Sequence, residues 1–316
     1  MGVKFGWGAP LLTHPASSNR VVRLSRDYAE LTKLRVTALI VMTAWCGSFL
    51  ASRKAGTPSL SWGLLHALLG IGLVSSGTAA LNEVMERDTD GRMPRTAGRP
   101  LPAGRMRLLP ATLIGSGLTL GGSLYLALFA NRLTGLLTLL TAAAYLAAYT
   151  PLKRVSSLCT FVGAFPGAMP GVLGWVAVRN RLEGETLVLF AILFLWQFPH
   201  FFSIAWLYRD DYALGGVRML PVVKSDGRST ALRIEIYSVA LIPVSMLPSF
   251  TGIAGRTYLA GAAVLGLGLL YFGIRLAQLR MPPACATSRF RARQLLQATI
   301  VYLPILLGLM MSDSAR

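Results

Sequence analysis

Asn82, Glu86 and Asp90 follow one another at intervals of four residues, with Asp88 between the last two. On a helix, this spacing places the three side chains along one stripe. Acidic groups packed this closely repel one another unless a cation lies between them. Arg or Lys could supply that cation. So could Mg²⁺, which takes oxygen ligands and commonly binds through carboxylates together with substrate phosphates.

An arginine-rich segment follows these acids directly and contains Arg92, Arg95 and Arg99. Guanidinium groups bind phosphate oxygens in a bidentate manner. An ordinary loop would need only the arginines, whereas carboxylates followed by arginines are what a metal–diphosphate complex requires. The combination therefore indicates a site for a diphosphate and a divalent cation.

Asp210 and Asp211 form a second acidic pair, followed by the segment 216–221 with its own glycine, Arg-Met pair and proline. The segment 88–94 has the same order of residue types. The two segments lie four predicted spans apart, which is consistent with a duplicated four-helix unit whose acidic loops face each other. A chance similarity is the alternative.

The composition predicts the kind of scaffold that must position these groups. The 316 residues are 53% hydrophobic and only 14% charged, and the mean hydropathy is +0.55. Soluble domains carry about a quarter charged residues. A disordered chain would be less hydrophobic, and a collagen-like chain would have glycine at every third position. We therefore expect an all-α fold, a polytopic membrane helical bundle.

A membrane-spanning helix needs about 20 mostly apolar residues, and the chain contains about nine such segments. The segment 158–178 is unusual because Pro166 and Pro170 predict a kink or a break there, although its small residues would equally allow close helix packing. The predicted spans are 36–51, 60–81, 108–130, 134–149, 158–178, 186–206, 235–250, 257–276 and 294–311.

Most of the 31 Lys and Arg residues lie in the N-terminal arm and in alternate loops between the spans. The positive-inside rule places these segments in the cytoplasm, or on the matrix side of an organelle, and the C-terminus outside. The net charge of +18 thus reflects membrane topology, and we expect no nucleic-acid partner.

We predict a basic arm over 1–30 and a single transmembrane domain over 31–312. The arm has no acidic residue before Asp27, so a transit peptide is one interpretation. Its short length favours an ordinary positive-inside arm and a bacterial plasma membrane over the mitochondrial inner membrane.

The chain contains three cysteines, Cys46, Cys159 and Cys285. Their spacing indicates neither a disulfide framework nor a zinc site.

The segment 82–101 resembles the signature N-x-x-x-[DE]-x-x-x-D-x-x-M-x-R-T-x-x-R-P-L of the UbiA superfamily of membrane prenyltransferases, in the form found in its heme O synthase (protoheme IX farnesyltransferase) branch. The departures are Glu86 where aspartate is commoner, and Leu34 and Gly171 where proline is usual. Other segments similar to family motifs are Leu31–Arg35, Tyr149–Arg154, Gly163–Trp175, Trp196–Phe201 and Asp210–Val223.

This resemblance implies that a farnesyl group passes from farnesyl diphosphate to a vinyl group of heme b, with addition of water, to give heme O and diphosphate. It implies Mg²⁺ as cofactor, membrane lipids as surroundings and a heme A synthase as a possible downstream partner. His200 would be a heme-iron ligand or an acid–base group in the heme pocket. The implied metal ligands are Asn82, Glu86, Asp90, Asp210 and Asp211, with Asp88 as a further catalytic residue. The implied diphosphate contacts are Lys33, Arg35, Arg95, Arg99 and Lys153.

Two other functions fit parts of this pattern. A related prenyltransferase could act on a quinone precursor or another lipid-like acceptor, although Trp196–Phe201 and Asp210–Val223 count against it. A transporter could also carry acids and broken helices within the membrane. Its binding groups should lie near the middle of the membrane, whereas these acids and arginines gather at the predicted cytoplasmic ends.

Overall fold

The computed structural model describes residues 20–278 and 285–314, in which helices are joined by turns and loops and one isolated β-bridge is present. Nine helices within these residues are long and apolar enough to cross a membrane, which confirms the prediction of a multi-pass bundle. The helices are α1 Arg20–Leu31, α2 Leu34–Ala55, α3 Trp62–Gly91, α4 Leu108–Phe129, α5 Arg132–Ala143, α6 Thr150–Val155, α7 Cys159–Arg179, α8 Gly184–Leu207, α9 Arg209–Leu214, α10 Leu220–Val223, α11 Arg228–Phe250, α12 Arg256–Ala277 and α13 Ala286–Ser312.

The predicted basic arm lies partly outside the described residues, which begin at Arg20. From there to Leu31 the chain forms α1. Helix α3 continues about ten residues past its predicted end, so the whole acidic run lies on one helix that ends at Gly91.

The fourth predicted span is one continuous helical segment of three parts: α5, a π-helical turn at Ala144–Tyr149, and α6. A π-helical turn holds one residue more than an α-helical turn and often occurs at functional sites. This turn lies directly before α6, the short helix that carries Lys153.

Helix α7 is unbroken from Cys159 to Arg179, so a break at Pro166 or Pro170, one half of that expectation, is wrong, while a kink stays a prediction. The close packing that the small residues would allow is present. A Cβ added at Gly174 would overlap the carbonyl oxygen of Ala44 on α2, and one added at Gly47 would overlap that of Gly171. Without side chains between them, the α2 and α7 backbones come into contact, and α7 is supported along its length.

The bundle packs most extensively between α3 and α4, α2 and α7, and α11 and α12. The largest apolar cluster joins α8 to α11, α12 and α13, and a smaller one lies between α2, α3 and α7 around Ile71 and Leu173. We call the end of the bundle that carries segments 92–107 and 208–227 the loop face. The acidic and basic residues predicted to do chemistry lie at this end.

Candidate active site

The three side chains spaced by four residues on α3 are buried as a group. Asn82 is fully buried, Asp90 is 2% exposed and Glu86 is 9% exposed. Asp88 lies between them in sequence but is exposed, in line with a position off the stripe. The predicted stripe is therefore present, and an isolated buried carboxylate is costly unless it is paired.

Lys33 provides the first cation. It lies between α1 and α2 with left-handed backbone angles (φ 47°, ψ 50°), and its Nζ donates to Asn82 Oδ1 at 2.7 Å. Burial, together with the nearby positive charges of Arg99 and Lys153, lowers the pKa of Lys33 to about 8. Its ammonium group is therefore poorly hydrated and available to an anion.

The nitrogen of the Asn82 side-chain amide also has a hydrogen-bond partner. Its Nδ2 donates to Thr150 Oγ1 at 3.2 Å, and that hydroxyl donates to the Tyr145 carbonyl at 3.0 Å. Together with Lys33, this contact fixes the Asn82 carbonyl oxygen on the side of the ammonium group. Thr150 stood out in the sequence only as part of the family-like segment Tyr149–Arg154, and Tyr145 did not stand out, because only the fold brings this segment to Asn82.

Lys153 provides the second cation. Its Nζ donates to Glu86 Oε1 at 2.7 Å, and the two side chains are 13% and 11% exposed. The same ammonium lies 4.4 Å from the centre of the Tyr149 ring, within the range of a cation–π contact. The Lys153 carbonyl accepts from the Arg218 backbone N–H at 2.8 Å, which attaches the second loop to this segment.

Arg99 provides the third cation. The segment after α3 folds back, Thr96 Oγ1 donates to the Asp90 carbonyl at 2.9 Å, and Arg99 Nη1 donates to Asp90 Oδ2 at 2.5 Å. Asn82, Glu86 and Asp90 are thus each engaged by one cation from a different segment. We call these six side chains the ion cluster.

Glu83 is a buried acid that the sequence analysis left without a role. Its Oε1 accepts from the Leu101 backbone N–H at 3.4 Å, while its Oε2 is buried without a partner. Its position next to Asn82 was the available signal, because a fourth acid in the same run has no topological purpose. The contact holds the returning segment 92–101 against α3.

The second acidic segment lies over the first but does not join the ion cluster. Arg95 stacks on Tyr208, with its guanidinium carbon 4.5 Å from the ring centre, and donates to Tyr212 OH at 3.4 Å. Asp210 is exposed and Asp211 half-buried, and neither forms an ion pair with any described residue. Arg35, predicted to bind diphosphate, is also exposed and makes no contact with the cluster.

Within the described ranges, no three acidic, histidine or cysteine side chains form a group that could hold a metal ion. The oxygen ligands expected for Mg²⁺ are engaged by cations instead. Even so, the donor set suits that ion, because it consists of an amide and two carboxylate groups on one face of one helix. The cations that engage these oxygens are also the groups that a diphosphate would need.

A cavity of about 170 Å³ begins at Lys33 and lies between α2, α3, α5 and α7. Its walls are mostly apolar, as is typical of a site for a small apolar ligand. Tyr145 lies on its wall near the ion cluster. Its lining residues include Ile71, Val74, Ala79, Pro166 and Leu173.

His200 lies elsewhere, in the contact between α8 and α13. Its Nδ1 is 2.9 Å from Thr299 Oγ1, and its ring stacks on Trp196 with 4.9 Å between the centres. Trp196 Nε1 donates to the Thr299 carbonyl at 2.9 Å. No hydrogen bond links His200 to the ion cluster in the described part of the chain, so the structure does not bring these two predicted features together.

Comparison with known proteins agrees with this architecture. A protoheme IX farnesyltransferase of Koribacter versatilis (strain Ellin345) is 54% identical over 304 residues, which cover 96% of this chain and 98% of the relative. A UbiA homolog from Aeropyrum pernix K1 has a similar fold, with a TM-score of 0.66 at 18% identity over 88% of this chain and 97% of that one.

A second UbiA homolog, from Archaeoglobus fulgidus, was solved with DMAPP and Mg²⁺ bound. It aligns with a TM-score of 0.59 at 13% identity over 88% of this chain and 99% of that one. Residues 40–295 match the UbiA prenyltransferase family. With its ion cluster at the mouth of an apolar cavity in a multi-pass helical bundle, the chain belongs to the UbiA prenyltransferase family.

Proposed function

We propose that the protein transfers the farnesyl group of farnesyl diphosphate to a vinyl group of heme b, with addition of water, and releases heme O and diphosphate. The observation that carries prenyl transfer is the ion cluster at the mouth of a largely apolar cavity. The acceptor follows from the relatives, which are named protoheme IX farnesyltransferase and match nearly the whole chain.

The diphosphate would bind at the loop face, where positive charge is already concentrated. Lys33, Lys153 and Arg99 would contact its oxygens from the ion cluster, and Arg95 and Arg35 would contribute from the rim. In the absence of substrate these cations neutralise the buried oxygens of α3. Groups held in place before substrate binds do not need to reorganise as the bond breaks.

Mg²⁺ fits the same place by its preference for oxygen ligands. Asn82, Glu86 and Asp90 would hold one ion, with Asp88 nearby. Asp210 and Asp211, in the loop above, would help with a second ion or orient the cations. A bound Mg²⁺ would neutralise the negative charge that builds up on the diphosphate as it leaves.

The farnesyl chain would lie in the cavity below Lys33. Departure of diphosphate leaves positive charge on an allylic carbon, which water would quench early. The apolar walls exclude water from that carbon, and the Tyr145 ring lies on the wall near the site of reaction. The site would thus have a polar part, the ion cluster, that stabilises the diphosphate leaving group, and an apolar part, the cavity, that keeps water from the farnesyl chain.

His200 is our candidate for contact with the heme acceptor. Its Nδ1 is engaged by Thr299, which fixes the ring and leaves Nε2 for an iron atom. Metal-ligating histidines commonly have their second nitrogen held in this manner.

We assign the loop face to the cytoplasmic side of a bacterial plasma membrane, with the N-terminus inside and the C-terminus outside, because the basic residues gather on that side. The product would pass to a heme A synthase in the same membrane.

The test is incubation of the purified protein with heme b, farnesyl diphosphate and Mg²⁺, followed by reverse-phase separation and mass spectrometry of the hemes. We expect a product heavier than heme b by one farnesyl group plus water, and its loss with Asp90→Asn. Prenylation of a phenolic acceptor in place of heme would keep the family chemistry and refute the acceptor. No transfer to either acceptor would refute the proposed function.

A further inference from the structure

The cavity below Lys33 has a definite end. It runs along α3 from Ala79, near the ion cluster, to Ile71, a distance of about 12 Å at 1.5 Å per residue. On α7 the lining residues run from Pro166 to Leu173, so Leu173 is the lining residue of α7 that lies farthest from the ion cluster. Ile71 and Leu173 therefore lie at the same end, which we call the cavity floor.

One side of the floor is closed by main chain. Just beyond the last lining residues, α2 and α7 are in backbone contact, and no room exists for a Cβ at Gly174 against the Ala44 carbonyl. Ser48 Oγ donates to the Gly174 carbonyl at 2.8 Å, which adds a hydrogen bond between these helices. A substrate chain cannot extend in this direction.

The other side of the floor is closed by side chains alone. Ile71 is 1% exposed and Leu173 is 3% exposed, and both belong to one apolar cluster with Leu126, which does not line the cavity, and Ala142, which does. Side chains in such a cluster can be shortened, and the space that results stays apolar and dry. This is the direction in which a longer substrate chain could extend.

We infer that Ile71 and Leu173 set the length of the prenyl chain that the protein accepts. The inference rests on the proposed function. With both side chains present, the floor stops a chain one isoprene unit longer than farnesyl, because inserting extra carbons into a packed core forces neighbouring side chains out of position. Each change to alanine removes about three carbon atoms, so the two together release about the volume of one isoprene unit.

The experiment is a competition assay with equal amounts of geranyl, farnesyl and geranylgeranyl diphosphates, heme b and Mg²⁺, with the products separated by mass. For Ile71→Ala, Leu173→Ala and the double variant, we expect the ratio of geranylgeranyl to farnesyl product to rise by at least about tenfold. A single methylene in an apolar pocket already discriminates by about 10-fold or more.

Ile192→Ala is the matched control, since Ile192 is also 1% exposed but lies on α8 away from this cavity. It should lose stability to a similar degree without changing the product ratio. Val74→Phe tests the opposite direction, because Val74 lines the cavity above the floor. It should favour geranyl over farnesyl, and it keeps the inference testable if the alanine variants fail to fold.

An unchanged product ratio in the folded floor variants, or the same change in Ile192→Ala, would overturn the inference. If the alanine variants do not fold, an unchanged ratio in Val74→Phe would overturn it. The native protein separates this outcome from failure of the proposed function: if it transfers no prenyl group to heme b, the function itself is wrong, and the cavity does not serve this reaction.

Discussion

Lys33 Nζ lies 2.7 Å from Asn82 Oδ1, a contact between residues 49 positions apart in the chain. Lys33 reaches it from a left-handed backbone conformation between two helices, which is uncommon for a residue with a side chain. The strained position directs the ammonium group into the bundle, away from solvent. The first cation of the cluster therefore depends on the junction of α1 and α2.

Lys33 should give prenyl transfer a pH dependence. Because its pKa is lowered to about 8, the side chain is charged below that pH and neutral above it, and only the charged form attracts diphosphate. We expect kcat/KM for farnesyl diphosphate to fall as pH rises through about 8, since this parameter reports the free enzyme.

Lys33→Arg is the control for this profile, because a guanidinium group stays charged in proteins at any accessible pH. The fall near pH 8 should disappear in this variant, whatever its absolute rate. A profile that is the same in both proteins would assign the titration to another group.

Variants of the Glu86–Lys153 pair should differ in their effects on stability and on activity. Removing one partner leaves a buried charge uncompensated, which costs about 3–5 kcal/mol. We expect Glu86→Gln and Lys153→Met each to lower the thermal unfolding midpoint, and the double variant to recover much of the loss. All three should lose about a hundredfold or more in activity, as when a preorganised charge contact is removed. A double variant less stable than both single variants would contradict this account of the pair.

Thr150 should act through Asn82. In Thr150→Val, the Asn82 amide loses the contact at its Nδ2 and can rotate, so its oxygen is no longer fixed. We expect a loss of about tenfold or more in apparent Mg²⁺ affinity, with kcat near the native value at saturating metal. Direct titration of Mn²⁺ by electron paramagnetic resonance provides a readout apart from activity. Thr150→Ser, which keeps the hydroxyl, should restore both; if Val and Ser behave alike, the amide is not held by this contact.

Asp90 and Asp88 should differ in importance although they are two residues apart. Asp90 is buried against Arg99, whereas Asp88 is exposed and forms no ion pair with any described residue. We expect Asp90→Asn to lower kcat/KM by more than about a hundredfold, and Asp88→Asn to stay within about tenfold. Equal losses in steady-state assays would mean that both carboxylates reach the metal or the diphosphate.

The proposed contact of His200 with heme iron is best tested by the absorption spectrum of bound heme b. If its free nitrogen ligates the iron, His200→Ala should shift the Soret absorption band of heme b bound to the protein. His66 offers a matched control, because its ring is held by Tyr125 and Phe129 near the far end of α3. An unchanged band in His200→Ala would leave this histidine a packing residue between α8 and α13.

The helices and the acidic stripe were predictable from the sequence because both depend on local spacing. Nine apolar runs and the four-residue interval of Asn82, Glu86 and Asp90 needed no knowledge of the fold. Which cation meets which acid was not predictable, because Lys153 and Glu86 are 67 residues apart. The continuity of α7 was also missed, since the glycines that bring it against α2 act through a partner helix that local patterns do not reveal.

The contacts of Thr150 and Lys153 with α3 depend on the number of residues in the helical segment that precedes them, which includes the π-helical turn at Ala144–Tyr149. Because the turn holds one residue more than α-helical geometry needs, deleting one residue from it would restore an α-helical turn and leave the residues that follow close to their present orientation. A deletion within α5 would instead rotate everything after it by about 100° around the helix axis, and Thr150 and Lys153 would both leave their partners on α3 with no functional side chain altered. In the evolution of this segment, a single-codon deletion is therefore a greater hazard in α5 than in the π-helical turn.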